Sequence, residues 1–318
     1  MTQDKSYTTE EIANLLRISK LTVYDLIKKG ELPAYRVGRQ MRVDAADLES
    51  YKARAKGAYS RQPAAPPVSY MAHSVPQEQP PATTRNIIIS GQDISLDLLA
   101  NELEKQEDSF RALRSYVGSI NSLIAMYRGE ADVVSTHLYD GDTEEYNVPY
   151  VRRLLSGHSY LMVNLVARWA GFYVQKGNPR KLGSWEDLKK PGIIMVNREK
   201  GSGARTLIEE KLRQHSITGR EIVGYDREEK NHLAVAGAVA RLEADVGVGI
   251  EKASLMVGVD FIPLIRERYD LVIMKKKENE MLIRKIREIL SSTSFRQALE
   301  AIGGYDLTHT GEVMYETP

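Results

Sequence analysis

The chain contains no cysteine. Disulfides and thiol chemistry are thereby excluded, and a structural zinc site is argued against, since cysteine thiolates are its usual ligands. No apolar run is long enough to span a bilayer, and the polar N-terminus does not read as a signal peptide. No Gly-Lys-Ser/Thr closes a glycine-rich loop, so a nucleotide P-loop is absent, and the full dinucleotide fingerprint is missing too. No His-Glu-x-x-His pair offers a metal-bound water. Neither sign of charge dominates: 44 Lys and Arg stand against 43 Asp and Glu, a formal net charge of +1.

What remains is an ordinary composition, 42% hydrophobic and 27% charged, over 318 residues. That length suits two or three domains, and the simplest expectation is a cytoplasmic protein. A near-neutral total can hide a small basic domain beside a large neutral one, so the chain is best read region by region.

One stretch organises the rest: Val196-Asn197-Arg198-Glu199-Lys200-Gly201-Ser202-Gly203-Ala204-Arg205-Thr206-Leu207. It follows an apolar run and precedes a helical pattern over 206–212, which reads as strand, glycine-rich turn and helix N-terminus. Such a turn gathers backbone N–H groups and small hydroxyls at the positive end of a helix dipole, with Arg205 in the first turn. It is a ready anion site. The plainer alternative is that Gly201 and Gly203 only tighten a βα turn.

Residues 1–57 form a separate pattern. Thr8 or Thr9 can cap a helix with Glu10 and Glu11 in its first turn, and Ile12, Leu15 and Leu16 give it an apolar face. Ser19 can cap a second helix through Val23, Leu26 and Ile27, which Gly30 stops. A short hairpin follows, turning at 37–40, and Asp44 can cap a third helix over 45–56. In helix, turn, helix, wing, helix, the exposed start of the second helix is where side chains meet the major groove. Lys20, Thr22 and Tyr24 lie there, and Arg36, Arg39 and Arg42 put positive charge on the wing. Read plainly, those arginines are solubilising residues and Tyr24 is a packed aromatic.

The runs Tyr7-Thr8-Thr9-Glu10-Glu11-Ile12-Ala13, Ser19-Lys20-Leu21-Thr22-Val23-Tyr24 and Gly30-Glu31-Leu32-Pro33-Ala34-Tyr35-Arg36-Val37-Gly38-Arg39 closely resemble the excisionase and MerR-like helix-turn-helix family. The resemblance implies binding to double-stranded DNA as part of a dimer. Ser19, Lys20, Thr22 and Tyr24 become helix contacts, and Arg36, Arg39 and Arg42 wing contacts. Residues 58–84 then read as a linker, with Pro63, Pro66, Pro67, Pro76, Pro80 and Pro81 among Ala, Ser and Gln.

From 85 to 318 the pattern is α/β. Strands are expected over 86–90, 111–117 and 131–135 with helices between them, the grammar of a mostly parallel sheet covered on both faces. Further strands are expected over 161–167, 221–225, 244–250, 261–264 and 269–274. A short helix falls at 185–188, and longer ones at 231–242, 280–290 and 292–301. The polar segment 140–150 reads as a loop at the rim. A sheet entered, left for a second α/β unit and re-entered makes two lobes around a cleft. Ligands of such sheets sit beyond the carboxyl ends of the strands, which picks out Ser90, Gly91, Asp93, Ser119, Thr136 and His137. Helix capping is the alternative for Ser90 and Ser119, and packing for His137.

The matching stretches Ser90-Gly91-Gln92-Asp93, Gly201-Ser202-Gly203-Ala204-Arg205, Gly224-Tyr225 and Ala244-Asp245-Val246-Gly247-Val248-Gly249 resemble periplasmic-binding-protein-like sensor domains. The particular resemblance is to those fused to helix-turn-helix heads or to molybdopterin-biosynthesis proteins. It implies a two-lobed domain behind a small winged helix-turn-helix domain, and a small-molecule effector that could be molybdate or tungstate, with no cofactor. Carried over, a tetrahedral oxyanion would meet Ser90, Ser119, Ser202, Gly203 and Tyr225; read from the sequence alone, His232, His137 and Asp93 could also meet at the cleft. Ala204 and Gln92 depart from the family pattern, removing one hydroxyl and one imidazole. Arg205 could instead pair with the carboxylate of an organic acid. With no nucleophile beside a base, no catalysis is expected. The expected protein is a cytoplasmic, homodimeric transcription regulator without membrane attachment. A prophage-type excision or architectural factor is the alternative.

Overall fold

A computed structural model describes residues 6–16, 18–28, 32–37, 40–55, 84–106 and 109–318. The chain divides into two compact units, 1–77 and 78–318, a division that falls inside the expected linker. Most of that linker lies outside the described residues, as do Gly30 and Arg39.

The first unit runs β1 (Ser6–Thr8), α1 (Thr9–Leu16), α2 (Lys20–Lys28), β2 (Tyr35–Val37), β3 (Gln40–Asp44) and α3 (Ala45–Ala55). Its sheet has the antiparallel order β1-β3-β2. The three-residue β1 was not expected, being too short to show a period. At the start of α1, Glu11 accepts from Thr8 N at 2.8 Å while Thr8 Oγ1 accepts from Glu11 N at 3.3 Å. This capping box fixes where the helix begins. Ile12, Ala13, Val23, Leu32, Val43 and Leu48 form the small core.

The second unit is built on a nine-stranded sheet among the described residues. Lobe 1 contains β4 (Arg85–Ser90), α4 (Ser95–Gln106), β5 (Phe110–Ser115), α5 (Ser119–Tyr127) and β6 (Val133–Thr136). It continues with a hairpin, β7 (Tyr139–Asp140) and β8 (Glu145–Tyr146), and α6 (Val148–Leu154). So 140–150 is hairpin and helix start, not plain loop. Next, β9 (Tyr160–Val174) crosses into lobe 2. That lobe holds a short 3-10 helix (Trp185–Lys189), β10 (Met195–Arg198), α7 (Gly203–Gln214), β11 (Glu228–Glu229), α8 (His232–Ala240), β12 (Val246–Ile250) and α9 (Glu251–Val257). The chain returns on β13 (Asp260–Met274) and finishes in lobe 1 with α10 (Glu280–Ser291), α11 (Thr293–Ile302) and β14 (Val313–Glu316).

The sheet order is β11-β10-β12-β9-β13-β6-β4-β5, with β14 paired to β9. Both β9 and β13 are 15 residues long and pair antiparallel along nearly their whole length. The strand expected over 161–167 is therefore half of β9, and those expected at 261–264 and 269–274 are one strand. The strand expected over 221–225 does not form. Gly219–Glu221 is a 3-10 turn, and Val223 makes a single bridge to Ile194.

Alternation sorts the core. Leu161, Val163 and Leu165 face α4, α10 and α11, while Tyr160 and Met162 face α5 and α6. In lobe 2, Phe172 and Val174 join the α7 layer, and Tyr173 joins α8 and α9. No helix among the described residues is long and apolar enough to cross a membrane.

Candidate functional site

In the first unit, Ser19 caps α2, its hydroxyl accepting from Thr22 N at 3.1 Å and lying 2.8 Å from Thr22 Oγ1. Val23 is buried, while Ser19, Lys20, Thr22 and Tyr24 are exposed, so the expected contact residues share the outward side. Lys20 pairs with Glu10 at 3.3 Å, both side chains in solvent. Such a pair stabilises little and can be exchanged for a phosphate. Arg36 is exposed on β2, whereas Arg42 is half-buried and donates to Ser6 Oγ at 3.1 Å. Arg42 thus helps hold β1 against β3. Arg39 lies outside the described residues.

In the second unit, β4 ends in a turn at Gly91, where φ is +145° and a Cβ would meet Ser135 Oγ at 1.9 Å. Only glycine fits there. Beyond the strand ends, the starts of α5 and α7 come together from opposite lobes, and Ile120 N donates to Gly201 O at 3.1 Å. Ser119, Ser202 and Gly203 meet here as the sequence suggested, joined by Gln92, Ser135, His137 and Tyr269. The gap they enclose is only about 10 Å³. That is room for roughly one water.

Three expected ligand residues are elsewhere. The Ser90 hydroxyl is buried against Ser122 at 2.9 Å, behind the gap. Arg205 turns into lobe 2, donating to Glu209 at 2.7 Å, Glu228 at 3.1 Å and the Arg198 carbonyl at 3.2 Å. Tyr225 lies under the Arg205 guanidinium, 4.5 Å from its ring centre, and packs on Gly219. Because 221–225 is a turn rather than a strand, Tyr225 is carried to the outer side of α7.

Asp93 and His232 line a second, larger cavity of about 230 Å³ between the lobes. Lobe 1 contributes Gln92, Asp93, Ile94, His137 and Tyr305, and lobe 2 contributes Asn231, His232, Leu233, Lys252 and Met256. At its base Arg168, on β9, pairs with both Asp93 and Glu267. Tyr305 donates to Asp93 Oδ1 at 2.6 Å, and His137 Nδ1 lies 3.2 Å from Glu267 Oε2. Burial alone would raise the Asp93 carboxyl, yet Arg168 and hydrogen bonds from Ser95 and Tyr305 hold it below the usual range. Burial would likewise raise Glu267, but Arg168 and then His137 bring it to about 2. The cluster thus sets one guanidinium between two ionised carboxylates.

Arg198 forms a second polar knot. It pairs with Glu199 at 2.8 Å and donates to Gln92 Oε1 at 2.8 Å and His232 Nδ1 at 3.1 Å. Burial, then the Arg198, Arg168 and His137 charges, push His232 well below 6.5. His232 therefore stays neutral in the fold, while in the unfolded chain it binds a proton below about pH 6.5. Stability from this group is present above that pH and falls away as the solution is acidified. We expect the melting temperature to drop as pH falls below about 6.5, and His232→Gln to flatten that part of the profile. A second acid loss should persist in this variant, beginning near pH 4.5 where Glu267 of the unfolded chain takes up a proton and complete near pH 2 where the folded carboxyl does. Among the described residues, no group of three or more His, Asp or Glu could hold a metal ion.

The central residues Arg168, Glu267, Tyr269, Tyr305 and Lys252 were not picked out from the sequence. One signal was available: Arg168 interrupts a long apolar run, whereas Glu267 is hidden in the charged run Arg266-Glu267-Arg268. They are register partners in the β9–β13 ladder.

Comparison with known proteins fits this architecture. The PBP superfamily domain model matches residues 100–291, and a helix-turn-helix domain model matches residues 6–56. The uncharacterized Bacillus subtilis protein YvgK is 49% identical over 317 residues, covering 100% of both chains. A Clostridium perfringens ABC-transporter substrate-binding protein crystallised with bound phosphate superposes with a TM-score of 0.52 at 14% identity, covering 70% of this chain and 98% of its own. The sulfate-binding protein SubI of Mycobacterium tuberculosis gives 0.51 at 15% identity, over 69% and 86%. The chain belongs to the PBP superfamily, and it carries its binding-protein domain behind a helix-turn-helix domain.

Proposed function

We propose that this protein is a cytoplasmic, ligand-responsive transcription regulator. Its head binds duplex DNA as part of a homodimer, and its second unit closes on a small ligand. The observation that carries the reading is that a helix-turn-helix domain shares a chain with a cleft whose walls come from both lobes. A ligand touching both walls binds the closed form better than the open one, and only such differential affinity can shift a conformational equilibrium. No catalytic step is part of the proposal.

Two ligand classes have support. The meeting of Ser119, Ser202 and Gly203 at two helix starts favours a tetrahedral oxyanion. Molybdate or tungstate is the specific form implied by the sequence resemblance, and the two similar structures are of proteins for phosphate and sulfate. A small organic acid is favoured by volume, because the serine gap of about 10 Å³ adjoins a cavity of about 230 Å³.

The DNA half is tested with a duplex selected by the full chain from a random pool. Replacing Arg36 and Arg39 together with Ala should weaken binding to all sequences alike. It should also make the log–log salt dependence shallower by about 0.9 for each phosphate no longer neutralised. An unchanged slope removes the wing from the interface.

A further inference from the structure

We propose that the interlobe cavity is a site for a small organic carboxylate with an aromatic or aliphatic body. Lys252 and the Nε2–H of His232 hold its carboxylate, and Ile94, Leu233, Ala253 and Met256 receive its body. The inference rests on the regulator reading and names the ligand class of that site.

Direct pairing singles out Lys252. Arg168 is matched by Asp93 and Glu267, and Arg198 by Glu199. Lys252 lines the same cavity and makes no ion pair among the described residues, its ammonium donating to the Ile302 carbonyl at 2.7 Å. Burial pushes the Lys252 amine below its ordinary value, opposed by Asp93, which is already committed to Arg168. These side chains already sum to zero, so what an incoming carboxylate supplies is the direct ion-pair partner that Lys252 lacks.

The second donor follows from chemistry. An arginine can only donate, so His232 Nδ1 must accept from Arg198, and the ring hydrogen therefore sits on Nε2. A neutral His232 thus offers an N–H to an acceptor.

The remaining wall has no use for an inorganic oxyanion. Ile94 is 51% exposed, Leu233 44% and Met256 67%, and all three line the cavity. Large apolar side chains grouped at a concave site mark a surface that a ligand covers. A cavity of about 230 Å³ lies below the usual range for drug-sized ligands, so it suits a compact acid.

The test uses the full chain, titrated calorimetrically and by thermal shift with benzoate, hexanoate, benzamide and molybdate at matched ionic strength. At least one carboxylate should give a saturable stabilisation that the neutral benzamide does not. Lys252→Gln should weaken it tenfold or more, Lys252→Arg should recover part of the affinity, and Met256→Glu should weaken it with the circular dichroism unaltered. Response to molybdate alone overturns the proposal. So does equal binding of benzamide, undiminished affinity in Lys252→Gln, or silence of both carboxylates at millimolar concentration. DNA binding of the same samples keeps the two readings apart. Specific DNA binding without a carboxylate response sinks this inference only, while carboxylate binding without specific DNA binding sinks the regulator.

Discussion

Arg168→Ala should destabilise the second unit by about 3–5 kcal/mol, the usual result of removing one partner from a buried ionic group. Asp93 and Glu267 would remain buried with their shared counter-charge gone. Both are fully engaged in the folded protein, so neither can turn to solvent without giving up other bonds. Asp93 accepts from Ser95 N at 2.8 Å and from Tyr305 at 2.6 Å. Urea or thermal unfolding of the full chain would show the loss, as a fall in melting temperature of roughly 6–20 °C for a domain of this size. Arg168→Met keeps an apolar side chain of similar length but removes the guanidinium, which lies 4.5 Å from the Tyr269 ring centre, and should lose nearly as much. Adding Asp93→Asn and Glu267→Gln to it should restore a substantial part, because the cost lies in the stranded charges. If Arg168→Met unfolds like the parent protein, the network does not carry the stability assigned to it.

Gly118→Ala should hold the lobes apart. At this position φ is −70° and ψ 163°, a conformation open to alanine, so the substitution strains nothing in lobe 1. The obstacle is the opposing chain: a Cβ would stand 2.8 Å from Gly201 O and 2.9 Å from Ser202 Cα. Neither atom is the mobile end of a side chain. Lobe 2 must retreat, which breaks the bond from Ile120 N to Gly201 O. We expect at least a tenfold loss in affinity for any ligand that needs the closed form, equivalent to about 1.4 kcal/mol. The absence of cysteine makes the motion measurable directly. Spin labels at Glu130→Cys in lobe 1 and Arg220→Cys in lobe 2, both exposed, report the separation without competing thiols. Their distance distribution should move outward in the alanine variant. An unmoved distribution would show that the two helix starts are not the closing contact.

These expectations rest on features that the sequence disclosed unevenly. The head was legible nearly element by element, because caps, turn residues and apolar spacing all act within a few positions of one another. The order of strand and helix in lobe 1 was legible for the same reason. The long strands were not. Arg168 interrupts the apolar run of β9, so the expected strand stops at Ala167, although the strand continues to Val174. Short edge strands such as β14 carry too few residues to show alternation.

The site divides in the same way. Ser119, Ser202 and Gly203 belong to local turn-and-helix signals and were found. Arg168, Glu267 and Tyr305 converge only because distant strands and the C-terminal segment pack together. Tyr225 is misplaced once a turn is read as a strand, since one wrong element moves a side chain to another face.

The path of the chain through β9 and β13 bears on how such proteins can be recombined. Ala167 and Arg268 are register partners where the chain leaves lobe 1 and returns to it. Lobe 2 is thus a cassette whose two splice points lie side by side on neighbouring strands, and exchanging it would leave the path of lobe 1 unchanged. Its first and last residues are Arg168 and Glu267, also register partners. A transplanted cassette would arrive with one half of the buried charge network and find the other half, Asp93 and His137, in its host. A graft should therefore fold only where the recipient supplies both, so compatibility between lobes is set at the seam rather than in the cavity that chooses the ligand.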